Sequence, residues 1–346
     1  MKRIYIFCCL QLIVAITIAQ NNTGFQIVDR PANKQVDVLY NGKLLTAYCY
    51  YDSIMKPFLY PVNTLDGVTV TRGYPIAPRA GDRTDHPHHV GIWMNYESVN
   101  GLDFWNNSTA IPAERKNKYG TIKHDQVVEK HASNDKASIT VTANWIRPDG
   151  KTIIKEKTVY HFSVKDKKFI IDRNSVLTAA DEPVIFKDVK DGFFAIRVAR
   201  ELELPSKEKT EFVDANGNVT SVPALSNQQV TGMYYNSEGV KGDEVWSSQA
   251  RWAMLKGTKD GKEITIGIFD HPSNPGYPTY WHARGYGLFA LNPLGRKVFS
   301  NGKEELNYSL KPGASVRFHY EVLVASSIPV TNEVMNKEAD DFAKQK

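Results

Sequence analysis

Residues 137–164 read ASITVTANWIRPDGKTIIKEKTVYHFSV, and apolar and polar side chains alternate on both sides of the Pro148-Asp149-Gly150 turn. Alternation with a period of two is typical of β-strands that bury one face, so the two runs predict a long antiparallel hairpin. Residues 36–47, VDVLYNGKLLTA, show a similar pattern around Asn41-Gly42, a strong hairpin signal. Further strand patterns occur at residues 169–178, 184–189, 193–199, 263–269 and 315–325.

Only one helix is predicted, at the C-terminal end of the chain. Within residues 331–344 four apolar side chains fall near helical spacing, and Thr331 or Asn332 is suited to cap the first turn. No stretch rich in Pro, Gly or Ser divides the chain. The sequence therefore predicts one all-β domain over residues 20–346. We expect a large antiparallel two-sheet sandwich followed by a short terminal helix.

The first 19 residues have the form of a secretory signal peptide. Lys2 and Arg3 precede an apolar run, and Thr17 and Ala19 place small residues at a cleavage site. The run is too short for a transmembrane helix, which needs about 20 residues. We therefore expect cleavage near Ala19 and export of a soluble protein to the periplasm or the cell exterior.

The composition of the remaining chain narrows the classes of partner. Without Lys2 and Arg3, 41 basic residues stand against 38 acidic ones, which gives a net charge of +3 spread along the chain. This mild surplus argues against a nucleic-acid partner. Cys49 is then the only cysteine, so the core and not an internal disulfide must stabilise the fold. No later apolar stretch is long enough to span a membrane.

Two stretches carry most of the residues suited to chemistry. Residues 85–105 read DHPHHVGIWMNYESVNGLDFW, and residues 269–295 read FDHPSNPGYPTYWHARGYGLFALNPLG. A core strand does not need imidazole groups at this density. We therefore expect the two stretches to converge on one polar pocket with aromatic walls, supported by the β-scaffold.

Histidine supplies the main catalytic hypothesis, because its ordinary pKa of about 6.5 suits proton transfer near neutral pH. If residues 86–94 are extended, His86 and His88 share one face, and such a pair can also ligate a divalent metal ion. His282, His124, Asp103 or Asp270 would supply the third ligand. No cofactor is expected, and a metal ion is kept as the alternative. The candidate catalytic residues are His86, His88, His89, His282, Asp103 and Asp270, with Asp191 as a weaker carboxylate.

Aromatic and planar cationic side chains in the same stretches suit a sugar ligand. Tryptophan and tyrosine rings stack on the apolar face of a pyranose, although in a β-sandwich they also fill the core. The fork of an arginine binds carboxylate or sugar oxygens, although it equally pairs with structural aspartates. The candidate substrate-binding residues are Trp93, Trp105, Trp281, Arg284, Tyr286, Arg197 and Asn274.

The two stretches, together with DGFFAIRVA at residues 191–199, resemble the signatures of a bacterial family of unknown function, DUF6807. The resemblance covers residues 25–325. It implies an exported protein, similar to those encoded among sugar-degrading genes, with a sandwich similar to the galactose-mutarotase-like supersandwich. Members often carry the label methane oxygenase PmoA. The true methane monooxygenase subunit is an integral membrane protein, so we set that label aside.

Two functional hypotheses remain. The sequence contains no G-x-S-x-G elbow, no H-E-x-x-H motif and no Gly-rich phosphate loop, which argues against a serine hydrolase, a zincin and a nucleotide enzyme. The first hypothesis is a carbohydrate-active lyase, hydrolase or epimerase that uses histidine acid–base chemistry. The second is a glycan-binding protein without catalysis. The density of histidines favours the enzyme, because binding modules rarely need four imidazole groups.

Overall fold

The computed structural model describes residues 23–222 and 226–345, so the predicted signal peptide lies outside the described residues. In chain order its first ten strands are β1 (Phe25–Arg30), β2 (Gln35–Tyr40), β3 (Lys43–Cys49), β4 (Phe58–Val62), β5 (Ile92–Tyr96), β6 (Thr121–Ala132), β7 (Lys136–Ile146), β8 (Thr152–Lys165), β9 (Lys168–Ala179) and β10 (Val184–Phe186). The next ten are β11 (Gly192–Arg197), β12 (Thr210–Val213), β13 (Val219–Val222), β14 (Met233–Asn236), β15 (Trp252–Lys259), β16 (Lys262–Asp270), β17 (Tyr280–Arg284), β18 (Leu288–Asn292), β19 (Tyr308–Leu310) and β20 (Ser315–Ser326). The α-helices are α1 (Arg296–Phe299) and α2 (Asn332–Phe342). Short 3-10 turns lie at Pro31–Asn33, Ala113–Lys118, Arg200–Leu202 and Gly242–Val245.

The strands form two large antiparallel sheets of eight strands each. The first sheet has the order β1–β2–β3–β4–β5–β11–β18–β17, and the second has the order β14–β15–β16–β20–β9–β8–β7–β6. Two short ribbons, β10–β19 and β12–β13, complete the described strands. Strands make up 47% of the structure and helices 10%, which confirms the predicted all-β class and the two-sheet sandwich.

The main core lies between the inner faces of the two sheets. In β11, Phe194 and Ile196 belong to this core, and the ring of Phe194 stacks on Tyr320 of β20 at 4.9 Å between centroids. Ala195 belongs instead to a separate cluster on the outer face of the first sheet. The period-two alternation of a strand therefore presents one set of β11 side chains to the core and the other set to the outer face.

The hairpins predicted from sequence are present. Asn41 and Gly42 have φ angles of 50° and 75°, the left-handed conformation that a two-residue turn between β2 and β3 requires. Strands β7 and β8 pair over their whole length around the turn at residues 148–150. The segment at residues 86–94, by contrast, is not extended throughout, since β5 begins only at Ile92.

The predicted C-terminal helix is α2. Thr331 caps it, because its side chain accepts a hydrogen bond from the backbone N–H of Val334. Helix α2 covers the outer face of the second sheet, where Met335 and Phe342 pack with Trp252 and Leu323. None of the helices in the described part of the chain is long and apolar enough to cross a membrane.

Candidate functional site

The order of strands in the first sheet brings the two predicted stretches together on its outer face. Trp93 of β5 lies opposite Ala195 of β11. Ala195 lies opposite Ala290 of β18, and Ala290 lies opposite His282 of β17. Residues directly opposite in a sheet present their side chains to the same face. One row therefore runs across four strands from Trp93 to His282.

The next row on this face carries two positive charges. Arg197 lies opposite Leu288, and Leu288 lies opposite Arg284. Arg197 and Arg284 each follow a residue of the first row by two positions, and Leu288 precedes one by two. All three side chains therefore point to the same side of the sheet as the first row. His282 and Arg284 from the second stretch thus share a face with Trp93 of the first stretch and with Arg197.

The histidine segment forms a tight turn above this face. The backbone N–H of His89 donates to the carbonyl oxygen of His86 at 2.9 Å, and His86 has a left-handed φ of 45°. Arg72 fixes the turn, because its guanidinium donates to the carbonyl oxygens of His86 and His89 at 2.9 and 3.0 Å. The turn corrects the expectation that His86 and His88 share one face of an extended strand.

Asp85 is the electrostatic centre of the site. Its Oδ1 accepts hydrogen bonds from Arg72 at 2.7 Å and from Arg197 at 2.6 Å, and both guanidinium groups are buried. Its Oδ2 lies 2.8 Å from Nδ1 of His86. Burial alone would raise the pKa of Asp85, but the positive charges of Arg197 and Arg72 and the hydrogen bond to His86 hold this pKa well below its usual range. Asp85 is therefore ionised, and Nδ1 of His86 donates to it.

The ring of His86 lies in a stack of aromatic side chains. It is parallel to the ring of His89 at 4.7 Å and to that of Tyr286 at 5.1 Å. His89 stacks in turn on Trp93 at 5.2 Å. The side chain of His86 remains 40% exposed, and no described residue bonds to its Nε2. His86 therefore combines a fixed ring plane with a free, accessible nitrogen.

His89 is held as a neutral ring. Arg197 donates to its Nδ1 at 3.2 Å, and because arginine has no acceptor, the proton of this imidazole must be on Nε2. Burial, and the nearby positive charges, lower the pKa of His89 and of His88 well below the ordinary value. His88 is buried, and its carbonyl oxygen accepts a hydrogen bond of 2.6 Å from the buried Lys56. These two histidines are parts of the framework.

His282 and Asp191 lie at the far end of the first row. Nε2 of His282 is 3.9 Å from Oδ1 of Asp191. Burial, with the charges of Lys190 and Arg284, lowers the pKa of His282 to about 3, so this ring is neutral. Burial raises the pKa of Asp191, which is 20% exposed.

A cavity of about 620 Å³ opens beside His86. Asp85, His86, Arg284 and Tyr286 line one side, and residues of the 204–211 segment line another. Trp246 also lines it, and the guanidinium of Arg284 lies over the rings of Trp246 and Tyr286, at 5.6 and 5.9 Å from their centroids. The volume is in the range of small-molecule sites, about 300–1,000 Å³.

Several predicted residues do not line this cavity. Asp270 ends β16 in the second sheet, where it accepts hydrogen bonds from Asn274 and from the backbone N–H of Thr279, and burial raises its pKa to about 7. Asn274 also donates to the carbonyl oxygen of His319 on β20. Asp103 accepts two hydrogen bonds from Asn106 and closes a turn. The expectation that these residues share the pocket is corrected.

The predicted tryptophan platforms also need correction. Trp93 and Trp105 are fully buried in the cluster on the outer face, and the indole N–H of Trp93 donates to Asn95 at 3.0 Å. Trp281 points the other way, into the core between the sheets, because it is one residue out of phase with His282. Of the predicted aromatic residues, Tyr286 alone lines the cavity, together with Trp246, which sequence reasoning missed.

Sequence reasoning also missed Asp85, Arg72 and Lys56. Asp85 opens the quoted stretch, but its role depends on two arginines that precede and follow it in the chain by 13 and 112 residues. In the described part of the chain, no group of three or more His, Cys, Asp or Glu side chains is placed to hold an ion.

Fold and cavity together define an antiparallel two-sheet sandwich protein with an Asp–His–Arg cluster on the outer face of one sheet. The chain belongs to the family of unknown function DUF6807, whose model matches residues 35–340. This match confirms the resemblance drawn from the sequence motifs. A comparison with curated proteins gave no match.

Solved structures similar to the chain include sugar-processing proteins. The galactosidase domain of the alpha-galactosidase-sucrose kinase AgaSK is 10% identical, with a TM-score of 0.38 over 87% of this chain and 42% of that chain. The GH36 alpha-galactosidase AgaA from Geobacillus stearothermophilus is 11% identical, with a TM-score of 0.36 over 88% and 40%. A galactose mutarotase related enzyme from Lactobacillus acidophilus is 10% identical, with a TM-score of 0.29 over 88% and 98%. The chain thus spans about two fifths of the two galactosidase chains.

Proposed function

We propose that this protein is an exported carbohydrate-active enzyme that acts on a glycoside or sugar derivative, with His86 as the group that exchanges a proton with the substrate. One observation carries the proposal. The imidazole of His86 is fixed by an ionised aspartate on one nitrogen and by aromatic rings on its faces, while its other nitrogen is accessible beside a cavity. A general base requires this combination of fixed orientation and access.

The hydrogen bond to Asp85 determines which proton His86 can exchange. Because Asp85 accepts the Nδ1 proton, the lone pair of the neutral ring is on Nε2, the accessible nitrogen. When Nε2 takes a proton from the substrate, the carboxylate of Asp85 stabilises the resulting imidazolium. Arg72 and Arg197 hold the carboxylate of Asp85 in place, so His86 is a positioned base.

Asp191 is the second proton-carrying group in this proposal. Burial raises its pKa, which favours the protonated form that a general acid needs while His86 acts as the base, although Asp191 lies beside His282 and not in the lining of the cavity. Tyr286 and Trp246 line the cavity, and its volume of about 620 Å³ suits a sugar. Lyase, hydrolase and epimerase reactions all need such a pair of groups.

The test is a screen of the mature protein against glycosides and their oxidised (keto) forms, with and without a chelator. We expect His86→Ala to lower turnover about 100-fold or more while the protein stays folded. His131→Ala is the matched control, because His131 is also paired with a carboxylate, Glu129, but lies exposed on β6. Equal losses in the two variants, or none in either, would refute the assignment.

The alternative is a glycan-binding protein. The burial of His88, His89 and His282 favours it, because three of the four predicted histidines cannot exchange protons with a ligand. A binding protein would bind glycans equally well before and after His86→Ala and would turn over none of the compounds in the screen.

A further inference from the structure

Arg284 differs from the other arginines around the cavity. Arg72, Arg83 and Arg197 are buried, and each bonds to a carboxylate. Arg284 ends β17 at the cavity surface, and its guanidinium lies over two aromatic rings, those of Trp246 and Tyr286. No hydrogen bond or ion pair joins this guanidinium to any residue that the structure describes. It is an oriented guanidinium with free donors.

The cavity is also lined by the carboxylates of Asp85, Glu208, Glu211 and Asp243, and none of them forms an ion pair with these donors. Asp85 is already shared by Arg72 and Arg197. Asp243 also lines the cavity and lies against Gly285, where a Cβ atom would come within 3.0 Å of its Oδ1, yet it forms no ion pair with Arg284 among the described residues. Asp191 is paired with Lys190 at 3.5 Å. The fork of Arg284 is therefore left for a group that comes from outside the chain.

We propose that Arg284 binds a carboxylate of the substrate, so that the substrate class is glycosides of uronic acids. The planar fork of arginine matches the two oxygens of a carboxylate, and the two rings already restrict its plane, so less conformational entropy is lost on binding. This inference rests on the proposed function for its choice of a sugar, because the guanidinium itself recognises only the anionic group.

The position of Arg284 relative to His86 fits one sugar ring. Both groups lie against Tyr286, the imidazole at 5.1 Å and the guanidinium at 5.9 Å from the centroid of its ring. They are therefore no further apart than the sum of these two distances. A carboxylate held by Arg284 would keep the pyranose ring that carries it on the Tyr286 side of the cavity, which His86 also lines.

Equilibrium binding to the His86→Ala variant tests the inference without requiring turnover. The probes are pairs of methyl glycosides that differ only in the carboxylate: glucuronoside against glucoside, and galacturonoside against galactoside. We expect one uronoside to bind at least about tenfold more tightly than its neutral partner, since a charge-assisted hydrogen bond contributes more than the roughly 1.4 kcal/mol to which tenfold corresponds. Adding Arg284→Gln should abolish this preference, and Arg284→Lys should restore part of it, because lysine keeps the charge without the fork.

Arg147→Gln is the matched control, because Arg147 is a half-exposed arginine paired with Asp149 and Glu182 far along the chain from the cavity. This variant should keep the full preference. If Arg284→Gln keeps it too, or if no uronoside binds better than its neutral partner, the inference is overturned. A preference that depends on Arg284 without turnover of any substrate in the wild type would overturn the enzyme proposal instead. Turnover of neutral sugars that is indifferent to Arg284→Gln would overturn only the present inference.

Discussion

Replacement of Asp85 by asparagine tests the central geometry of the site, because the two side chains have the same shape. Arg72 and Arg197 can only donate hydrogen bonds, so the side-chain oxygen of the introduced asparagine must face them. Its amide nitrogen then faces His86 and donates to Nδ1 of that ring. The proton of the neutral imidazole is thereby moved to Nε2, the nitrogen that should act as the base.

The expected magnitudes follow from these contacts. Removing one partner of a buried ion pair costs about 3–5 kcal/mol. Asparagine still accepts hydrogen bonds from the two arginines, and the side chain of Asp85 is 31% exposed, so we expect a loss of about 2–3 kcal/mol of unfolding free energy. Turnover should fall about 100-fold or more, since a general base with its proton on the wrong nitrogen contributes nothing.

Two assays separate these effects. Nitrogen-15 NMR of histidine-labelled protein should show the proton of His86 on Nδ1 in the wild type and on Nε2 in Asp85→Asn, with His86→Gln used to assign the signal. Thermal unfolding gives the change in stability, and kcat and KM give the change in catalysis. An unchanged tautomer, or turnover within about threefold of the wild type in the folded variant, would show that Asp85 does not position the base.

Two further predictions concern residues outside the cavity. Trp93→Phe should reduce the unfolding free energy by about 2–4 kcal/mol, because it leaves a void and removes the hydrogen bond to Oδ1 of Asn95. It should leave KM unchanged, and an increase in KM without loss of stability would restore Trp93 as a binding platform. Burial and the charge of Asp172 raise the pKa of Glu321 from 4.5 to about 8. Between these pH values Glu321 keeps its proton in the folded protein but loses it in the unfolded chain, so wild-type stability falls as the pH rises. The Tm of Glu321→Gln relative to wild type should therefore rise over pH 4.5 to 8 and then level off, and a constant difference across that range would contradict this account.

The fold was accessible from the sequence because its signals are local. The period-two alternation at residues 137–164 and the Asn41-Gly42 turn each depend on neighbouring residues alone, and the structure contains the corresponding hairpins. The strand neighbours of β5 could not be predicted in this way. Its pairing with β11, about 100 residues further along the chain, depends on long-range packing that no local pattern records.

The site was accessible only in part, because one of the two chemical stretches crosses between the sheets. Residues 269–295 begin at the end of β16 in the second sheet and continue into β17 and β18 in the first. Asp270 therefore remains with Asn274 and His319, whereas His282 and Arg284 reach the outer face of the other sheet. Because these residues are close in sequence, they were predicted to form one site, but the topology places them in two separate groups, one on each sheet. The burial of Trp93 was likewise unpredictable, because alternation does not reveal what covers an outer face.

The density of histidines favoured an enzyme at the level of sequence, and the structure changes the weight of that argument. His88, His89 and His282 are buried with lowered pKa values, so near neutral pH they stay uncharged and exchange no proton. Two of them, His88 and His89, pack against the ring of His86 at 5.6 and 4.7 Å between centroids and help to fix its orientation. The case for catalysis therefore rests on one imidazole and its aspartate, and the buried histidines that contact this imidazole contribute through packing.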